Sequence, residues 1–587
     1  MASQALLIAL VGPITLLLSI PVQMLARREK IAWLVALAAS LAALASSSYV
    51  FYLRPYTASD VLEFISIGGR RIYYSFVPDR VSITMSVLTS IITFIIILFS
   101  HDYMHGEKGF TRYYSALALF EASMIGVALA HNLLTLTIFW ALLGFSSYLL
   151  IGFWYNKPRA RRAARLAIVV TGSGDIALVL ATAYAAIHGA TMTVPSTSLP
   201  AVVLSLVVFA AATKSAQFPL HIWLLEAMEA PTTVSALLHS ATMVAAGAYL
   251  LERVNAALVA DKGVSEAVLV LGSLTTIYAA ILAIKELDAK RVLAYSTISN
   301  LGIMFAAATL SSPLPSFSHL FVHAWFKATL FLSIAPAIHY LGTTSLVDMG
   351  GLRRYMPWGF AAALLAALAQ VGLPLYGSWV SHALISSASS EALRYVLLID
   401  AALSGLYIGR WLALAFLGSP RTGIGVAMEE SFERLSYALL IVLIPGSILL
   451  YRYALGLDLH AVLASKEAAI GSAVGLVCFV LAVYVYSRQP LGSGSQAAVE
   501  AIAVPLVYFE RLVYALYLEV VPPATLWLGS ILGRADKGAI SAQYAAPLAL
   551  APGTRRLDEL RNRGIQFMLL FGFSLLAIVL AIAFLVV

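Results

Sequence analysis

The stretch HLFVHAWFKATLFLSIAPAIHYL (319–341) is an apolar run carrying His319, His323 and Lys327. Residues four apart in a helix lie one above the other, so all three share a face. At 1.5 Å per residue the run is long enough to cross a hydrocarbon layer about 30 Å thick. In a water-soluble chain it would be an ordinary core helix, so the composition of the whole chain decides its meaning. The 587 residues are 61% hydrophobic and only 11% charged, with mean hydropathy +0.89. Soluble chains carry about 25% charged residues, and a surface this poor in charge could not be solvated. Soluble enzyme, nucleic-acid binder and disordered protein are excluded. The chain is an all-α polytopic membrane protein.

Outward from that stretch, windows of some 20 apolar residues predict sixteen spans. They lie near 4–26, 31–53, 79–101, 112–130, 132–154, 162–188, 198–225 and 231–253. The others lie near 264–285, 290–310, 316–342, 358–388, 392–418, 432–455, 466–487 and 563–587. The first 25 residues lack a cationic start and run straight into the second window, so they are read as a span rather than a cleaved signal. The single cysteine, Cys478, can form neither a disulfide framework nor an iron–sulfur site. No cofactor is expected, and any linked redox chemistry belongs to another chain.

The net charge of +8 is a matter of position rather than of an anionic partner. Arg27, Arg28, Lys30, Lys108, Arg112, Lys157, Arg159, Arg161, Arg162 and Arg165 fall in odd-numbered early connections. Only Arg54, Arg70, Arg71 and Arg80 fall in even ones. The positive-inside rule then places both termini outside a cell membrane.

Residues 490–562 are too polar to cross. Phe509, Leu512, Val513, Leu516 and Val520 recur there at helical spacing, with Glu510 and Arg511 on another face. This predicts a lateral amphipathic helix on the membrane surface or along neighbouring chains, interrupted at Pro522-Pro523. A disordered loop is the competing reading, and the apolar content argues against it. The organisation expected is helices 1–3 (1–111), a first five-helix group (112–253) and a second (264–418). Two further helices (432–487), the lateral segment (490–562) and an anchor helix (563–587) complete it.

An ionisable group at the bilayer centre costs at least ~2.5–3.5 kcal/mol, so a functional role is its default reading. Lys214 lies deep in the seventh window, His239 mid-span in the eighth, and His382 after the GLP of the twelfth. With His319, His323 and Lys327 they form a string of groups whose proton affinities burial can shift, as proton relay requires. A structural alternative stays open for His239, as a cross-helix hydrogen bonder, and for His319, near a membrane surface. Pro219 falls 107 residues after position 112, and Pro374 falls 110 after position 264. Both interrupt the fourth helix of a five-helix group, which predicts two inverted repeats, each with a site at its broken helix.

Three stretches carry a family resemblance: ATKSAQFPLHIWLLEAMEAPTTVSALLHSATM (212–243), DAKRVLAYSTISNLG (288–302) and HLFVHAWFKATLFL (319–332). With SSYLLIGFWY (146–155), the lateral segment and the last window, they resemble the NADH-quinone oxidoreductase subunit L family, chain 5 in mitochondria. The resemblance implies two proton half-channels joined at mid-membrane by a Lys/His chain and driven by redox chemistry elsewhere. It implies no cofactor in this chain, and as partners the lipid and the other membrane-arm subunits, with the lateral helix strapping neighbours. By motif, Lys214 is the lysine of the first broken helix, and His239, His319, His323 and Lys327 are the connecting groups. Asp175, in TGSGD, matches the family's aspartate in the sixth span.

Three departures stand out. Ala141 replaces the family's glutamate in the fifth span, and Gly172 replaces its arginine in the sixth. His382 and Ala383 replace a lysine and an acid in the second broken helix. Glu121 lies ten residues before His131 and Ala141 ten after it, both ~15 Å from the turn between their spans. Glu121 is therefore expected to supply the missing carboxylate to Lys214. The competing functions are a sodium/proton antiporter, an inorganic-carbon uptake subunit, and a strap that has lost pumping. Ala141 and Gly172 favour the strap; Lys214, His323 and Lys327 oppose it.

Overall fold

Helices cover the first fifteen of the sixteen windows in the computed structural model. It describes residues 2–53, 60–67, 70–188, 193–194, 196, 198–374, 376–421, 429–455, 465–488 and 505–515. The sixteenth window and most of the lateral segment lie outside the described residues. Ten described helices are long and apolar enough to cross a membrane.

The first helices are α1 (Ala2–Leu25), α2 (Glu29–Leu53), α3 (Arg80–Tyr103), α4 (Phe110–Leu129), α5 (Leu133–Ile151) and α6 (Pro158–His188). The seventh window breaks into α7 (Ala201–Lys214) and α8 (Ile222–Glu226). The eighth breaks into α9 (Thr232–His239) and α10 (Met243–Arg253), with a short α11 (Asn255–Ala260) following. Next come α12 (Lys262–Lys285), α13 (Ala289–Ala307) and α14 (Leu314–Leu341). The twelfth window breaks into α15 (Pro357–Val371) and α16 (Gly377–Ala388), and α17 (Glu391–Phe416), α18 (Ser431–Leu455) and α19 (Lys466–Arg488) follow. A last described helix, α20, covers 505–515.

Local chemistry sets several starts. Asp79 accepts from Ser82 N at 2.8 Å, Asn132 from Thr135 N at 2.8 Å, and Asp288 from Lys290 N and Arg291 N at 2.9 Å. Each side chain satisfies N–H groups that a helix start leaves orphaned. Asp79 also pairs with Arg253 at 2.5 Å, tying the start of α3 to the end of α10.

Between α2 and α3 the chain forms an antiparallel hairpin, β1 (Asp60–Ile67) with β2 (Arg70–Phe76). The all-helical expectation missed it.

Close approach comes from small residues, as membrane helices require. A Cβ on Gly272 would lie 2.5 Å from Gly302 O, and one on Gly302 would lie 2.6 Å from Gly272 O, so α12 and α13 meet backbone to backbone. The centre belongs to α9–α10 and α14, whose apolar windows are 100% and 94% buried, against 28% for the peripheral α19. The stretch bearing His319, His323 and Lys327 is therefore wrapped by protein rather than facing lipid.

α20 turns one residue of each expected face toward the protein. Glu510 and Val513 are buried, while Phe509 and Leu512 are exposed. Glu510 accepts from Tyr295 Oη, Tyr514 Oη donates to Glu226 Oε1 at 3.2 Å, and Arg291 donates to Tyr514 Oη at 3.3 Å. These bonds dock the helix beside the break after Lys214, where the Phe509 ring also lies 5.5 Å from the ring of Phe218, and Leu512 is turned outward. Leu516 and Val520 lie outside the described residues.

Candidate functional site

Lys214 is the last residue of α7, where the chain leaves the helix ahead of Pro219. The backbone groups freed by the break find new partners, as they must away from water. Trp223 Nε1 donates to Thr213 O at 3.0 Å, and Ser215 Oγ donates to Val244 O at 2.7 Å while accepting from Ala248 N at 3.1 Å. These bonds fix the direction of the Lys214 side chain. Its Nζ donates to Trp140 O on α5 at 3.0 Å and lies 3.2 Å from Asp175 Oδ1 on α6. Gly144 makes the room: a Cβ there would lie 2.6 Å from Lys214 Nζ and 3.3 Å from Asp175 Oδ2.

This corrects the expectation for Glu121. The carboxylate at Lys214 comes from Asp175, and Glu121 instead accepts from Ser40 Oγ on α2 at 3.1 Å. Equal depth had matched Glu121 to Ala141, but depth says nothing about the angle around α4. That helix packs mainly on α1, α3 and α5 and buries Glu121 toward α2. A Cβ on Gly172 would meet nothing within 4 Å, so the arginine missing there leaves open space.

The second break lies between α15 and α16. Gly372 turns the chain with φ +82°, and its missing side chain admits His382, whose Nδ1 would lie 2.7 Å from a Cβ at that position. The His382 ring stacks on His319 with centroids 5.3 Å apart. His319 is buried and shares hydrogen bonds with Asn300 Oδ1 at 3.0 Å and Ser381 Oγ at 3.1 Å.

One turn of α14 further on, His323 has no hydrogen-bond partner for either ring nitrogen among the described residues. The same holds for His239, which ends α9 beneath the ring of Phe331 at 4.7 Å. Buried polar atoms are ordinarily satisfied, so both imidazoles call for water or a transferable proton. His323 lies within electrostatic reach of His239, His319 and Lys327.

Lys327 is fully buried among three helices. Its Nζ donates to Ser296 Oγ on α13 and to Gln370 Oε1 on α15 at 3.0 Å. Tyr407 Oη on α17 binds both of those partners, at 2.9 Å to Ser296 Oγ and 3.1 Å to Gln370 Nε2. No carboxylate pairs with Lys327 within salt-bridge distance among the described residues. Cross-helix hydrogen bonds in membranes average about 0.6 kcal/mol, too little for two of them to offset the ~2.5–3.5 kcal/mol of burying a lysine.

The structure thus gathers His239, His323, Lys327, His319 and His382 into one interior row, with Lys214 and Asp175 at the other break. No hydrogen bond among the described residues joins Lys214 directly to His239; the 215–231 segment lies between them. Sequence reasoning missed Lys290, whose buried Nζ donates to Met228 O at 2.5 Å and Ala230 O at 2.6 Å within that segment. It also missed the buried Asp400 on α17, which lies within electrostatic reach of Lys327. Asp400 was open to the rule applied to Lys214, a charge inside an apolar run; Lys290 was not, because it stands in the charged stretch KELDAKR (285–291).

The transmembrane family described as NADH:quinone oxidoreductase/Mrp antiporter matches residues 130–406. The family described as NADH-ubiquinone oxidoreductase (complex I), chain 5 N-terminus, matches residues 64–114. An NAD(P)H-quinone oxidoreductase subunit 5 from the Paulinella chromatophora chromatophore is 36% identical over 406 residues, covering 63% of this chain and 60% of its own. The NADH-ubiquinone oxidoreductase chain 5 of Sus scrofa is 37% identical over 368 residues, 61% of each chain. The NADH-quinone oxidoreductase subunit L of Rickettsia felis is 33% identical over 408 residues, 66% of this chain and 63% of its own. The match spans about three fifths of the length of such relatives. Among solved structures, a chain of the Mrp complex from Dietzia sp. DQ12-45-1b superposes with TM-score 0.69 at 24% identity. It covers 94% of this chain and 64% of that one, a likeness of fold.

Proposed function

Since the chain belongs to the family of antiporter-like membrane subunits of NADH:quinone oxidoreductases, we propose that it moves protons across the membrane within a complex I-like assembly. The observation that supports this most is the interior row of His239, His323, Lys327, His319 and His382, wrapped by protein at the centre of the chain. Proton relay needs groups that accept and release protons, within reach of one another and away from lipid. Redox chemistry takes place in other subunits, which drive this one by conformational or electrostatic signals.

In this reading Lys214 is the switch of the first half. When its pair with Asp175 opens, the lysine gives its proton toward the 215–231 segment and Lys290. Lys327 and the histidines then carry charge toward the second break. The fold proposed is sixteen spans with two inverted five-helix repeats over 112–253 and 264–418, the lateral segment contacting neighbouring subunits. Both termini lie outside. Asp175 weighs against a strap that has lost pumping, because Lys214 keeps a carboxylate partner although Ala141 and Gly172 are present.

The test is proton uptake by the native complex reconstituted in vesicles. Lys214→Ala is expected to abolish the share of uptake that this subunit contributes, with the complex still assembled. Uptake unchanged by that substitution leaves only a scaffold. Uptake that needs sodium rather than a proton gradient makes it an antiporter.

A further inference from the structure

The second broken helix carries Ala383 where the family resemblance leads one to expect an acid, and the structure holds an acid nearby that no motif announces. Asp400 lies nine residues into α17, about 14 Å from the helix start at 1.5 Å per residue, and is buried. Ser299 Oγ on α13 lies 2.7 Å from Asp400 Oδ1. One turn earlier on α13, Ser296 Oγ binds Lys327 Nζ. The two serines thus face the lysine on one side and the carboxylate on the other.

A cavity of about 190 Å³ begins at Asp400. His382 lines it on the inner side, and Arg394 and Glu467 line it near the starts of α17 and α19. That is room for several water molecules among polar groups able to hold them. Its outer end lies on the face reached by the α16–α17 connection.

The bonding around Ser299 suits a group that changes protonation. Ser299 Oγ also lies 2.9 Å from Thr276 O, and its one proton cannot serve both acceptors. With Asp400 ionised, the hydroxyl donates to the carboxylate. With Asp400 protonated, the carboxylic acid donates to Ser299 Oγ and the hydroxyl turns to Thr276 O. Both states are satisfied without moving a helix.

We propose that Asp400 carries protons between Lys327 and the cavity, replacing from α17 the acid that α16 lacks. The inference rests on the proton-translocation reading above. In each transfer the Lys327 ammonium, held by Ser296, loses one proton and becomes an amine, and the Asp400 carboxylate, held by Ser299, gains one and becomes a carboxylic acid. Asp400 then releases that proton to water in the cavity and is again a carboxylate.

The test uses the reconstituted complex with Asp400→Asn, Asp400→Glu, Ser299→Ala and Lys214→Ala side by side. Asp400→Asn is expected to slow this subunit's proton uptake about a hundredfold, the scale of a positioned proton carrier, and Asp400→Glu to restore most of it. Ser299→Ala, which keeps the packing, is expected to slow uptake as well. In a Cys478→Ala background, Ala468→Cys on the cavity wall is expected to react with a charged thiol reagent from one membrane face only. If Lys214→Ala abolishes uptake while Asp400→Asn and Ser299→Ala retain it, the role of Asp400 is overturned and the general reading stands. If Lys214→Ala also retains uptake, both fall. A cysteine at 468 that reacts from neither face overturns the aqueous route.

Discussion

Lys214 Nζ and Asp175 Oδ1 lie 3.2 Å apart, an ion pair that joins the end of α7 to the middle of α6 where the family resemblance places a glutamate on α5. Removing one partner of a buried pair leaves the other uncompensated and costs about 3–5 kcal/mol. Asp175 is 21% exposed, which puts its loss at the low end. Asp175→Asn is therefore expected to lower the melting temperature of the assembled complex and to reduce proton uptake. Ala141 follows Trp140, whose carbonyl already receives Lys214. Adding Ala141→Glu to Asp175→Asn is expected to return both stability and uptake. Vesicle proton-uptake assays and thermal melts of the two variants check this, and no rescue by the glutamate would show that a side chain at position 141 does not reach the lysine.

Gly144 tests the same pair from a third side. An alanine methyl there would sit 2.6 Å from Lys214 Nζ, closer than any non-bonded contact tolerates. The lysine end is flexible, so the conflict is relieved by moving the ammonium rather than the helix, at about 1–3 kcal/mol. Gly144→Ala is expected to assemble normally yet lose uptake, because the displaced Nζ leaves both Asp175 and Trp140 O. Normal uptake by this variant would mean that the pair tolerates being opened.

Glu121→Gln is expected to leave uptake unchanged, since an amide oxygen still accepts from Ser40 Oγ and the residue does not pair with Lys214. The contrast with Asp175→Asn, measured in one preparation, checks the assignment.

That contrast also marks what the chain made legible. Hydropathy placed the helices, and intramembrane charge picked out Lys214, His239, His319, His323, Lys327 and His382. The family resemblance from 212–243, 288–302 and 319–332 agrees with the matches over 64–114 and 130–406. Prolines announced the breaks at Pro219 and Pro374. The break after His239 had no such sign: Ser240 and Thr242 leave helical geometry with ψ −107° and −111°, in a sequence without proline or glycine. Tertiary packing sets it. Asp60–Phe76 was read only for charge, so its strand pairing was missed. The partner of Lys214 could not be read, because spacing fixes depth along a helix while contact depends on which neighbour packs on which face.

The docking of α20 carries the last prediction. The amphipathic pattern set Phe509, Leu512 and Val513 on one face and Glu510 on another; Val513 and Glu510 are buried, Glu510 against Tyr295, while Phe509 and Leu512 are exposed. A buried carboxylate held by a phenol, with Tyr514 bridging Glu226 and Arg291 beside it, adds a directional contact to the apolar packing of Val513 and of Phe509 on Phe218. Leaving one polar partner unsatisfied costs about 1–3 kcal/mol, and more where the orphan is charged. Tyr295→Phe strands the Glu510 carboxylate, whereas Glu510→Gln keeps an acceptor for the phenol. Tyr295→Phe is accordingly expected to loosen α20, making the following chain more open to protease in the purified complex, while Glu510→Gln leaves cleavage near the unmodified rate. Tyr295 lies one residue before Ser296, the partner of Lys327, so the loosened helix should also slow proton uptake. Cleavage that rises without any change in uptake would make α20 a fastening alone, uncoupled from the interior row.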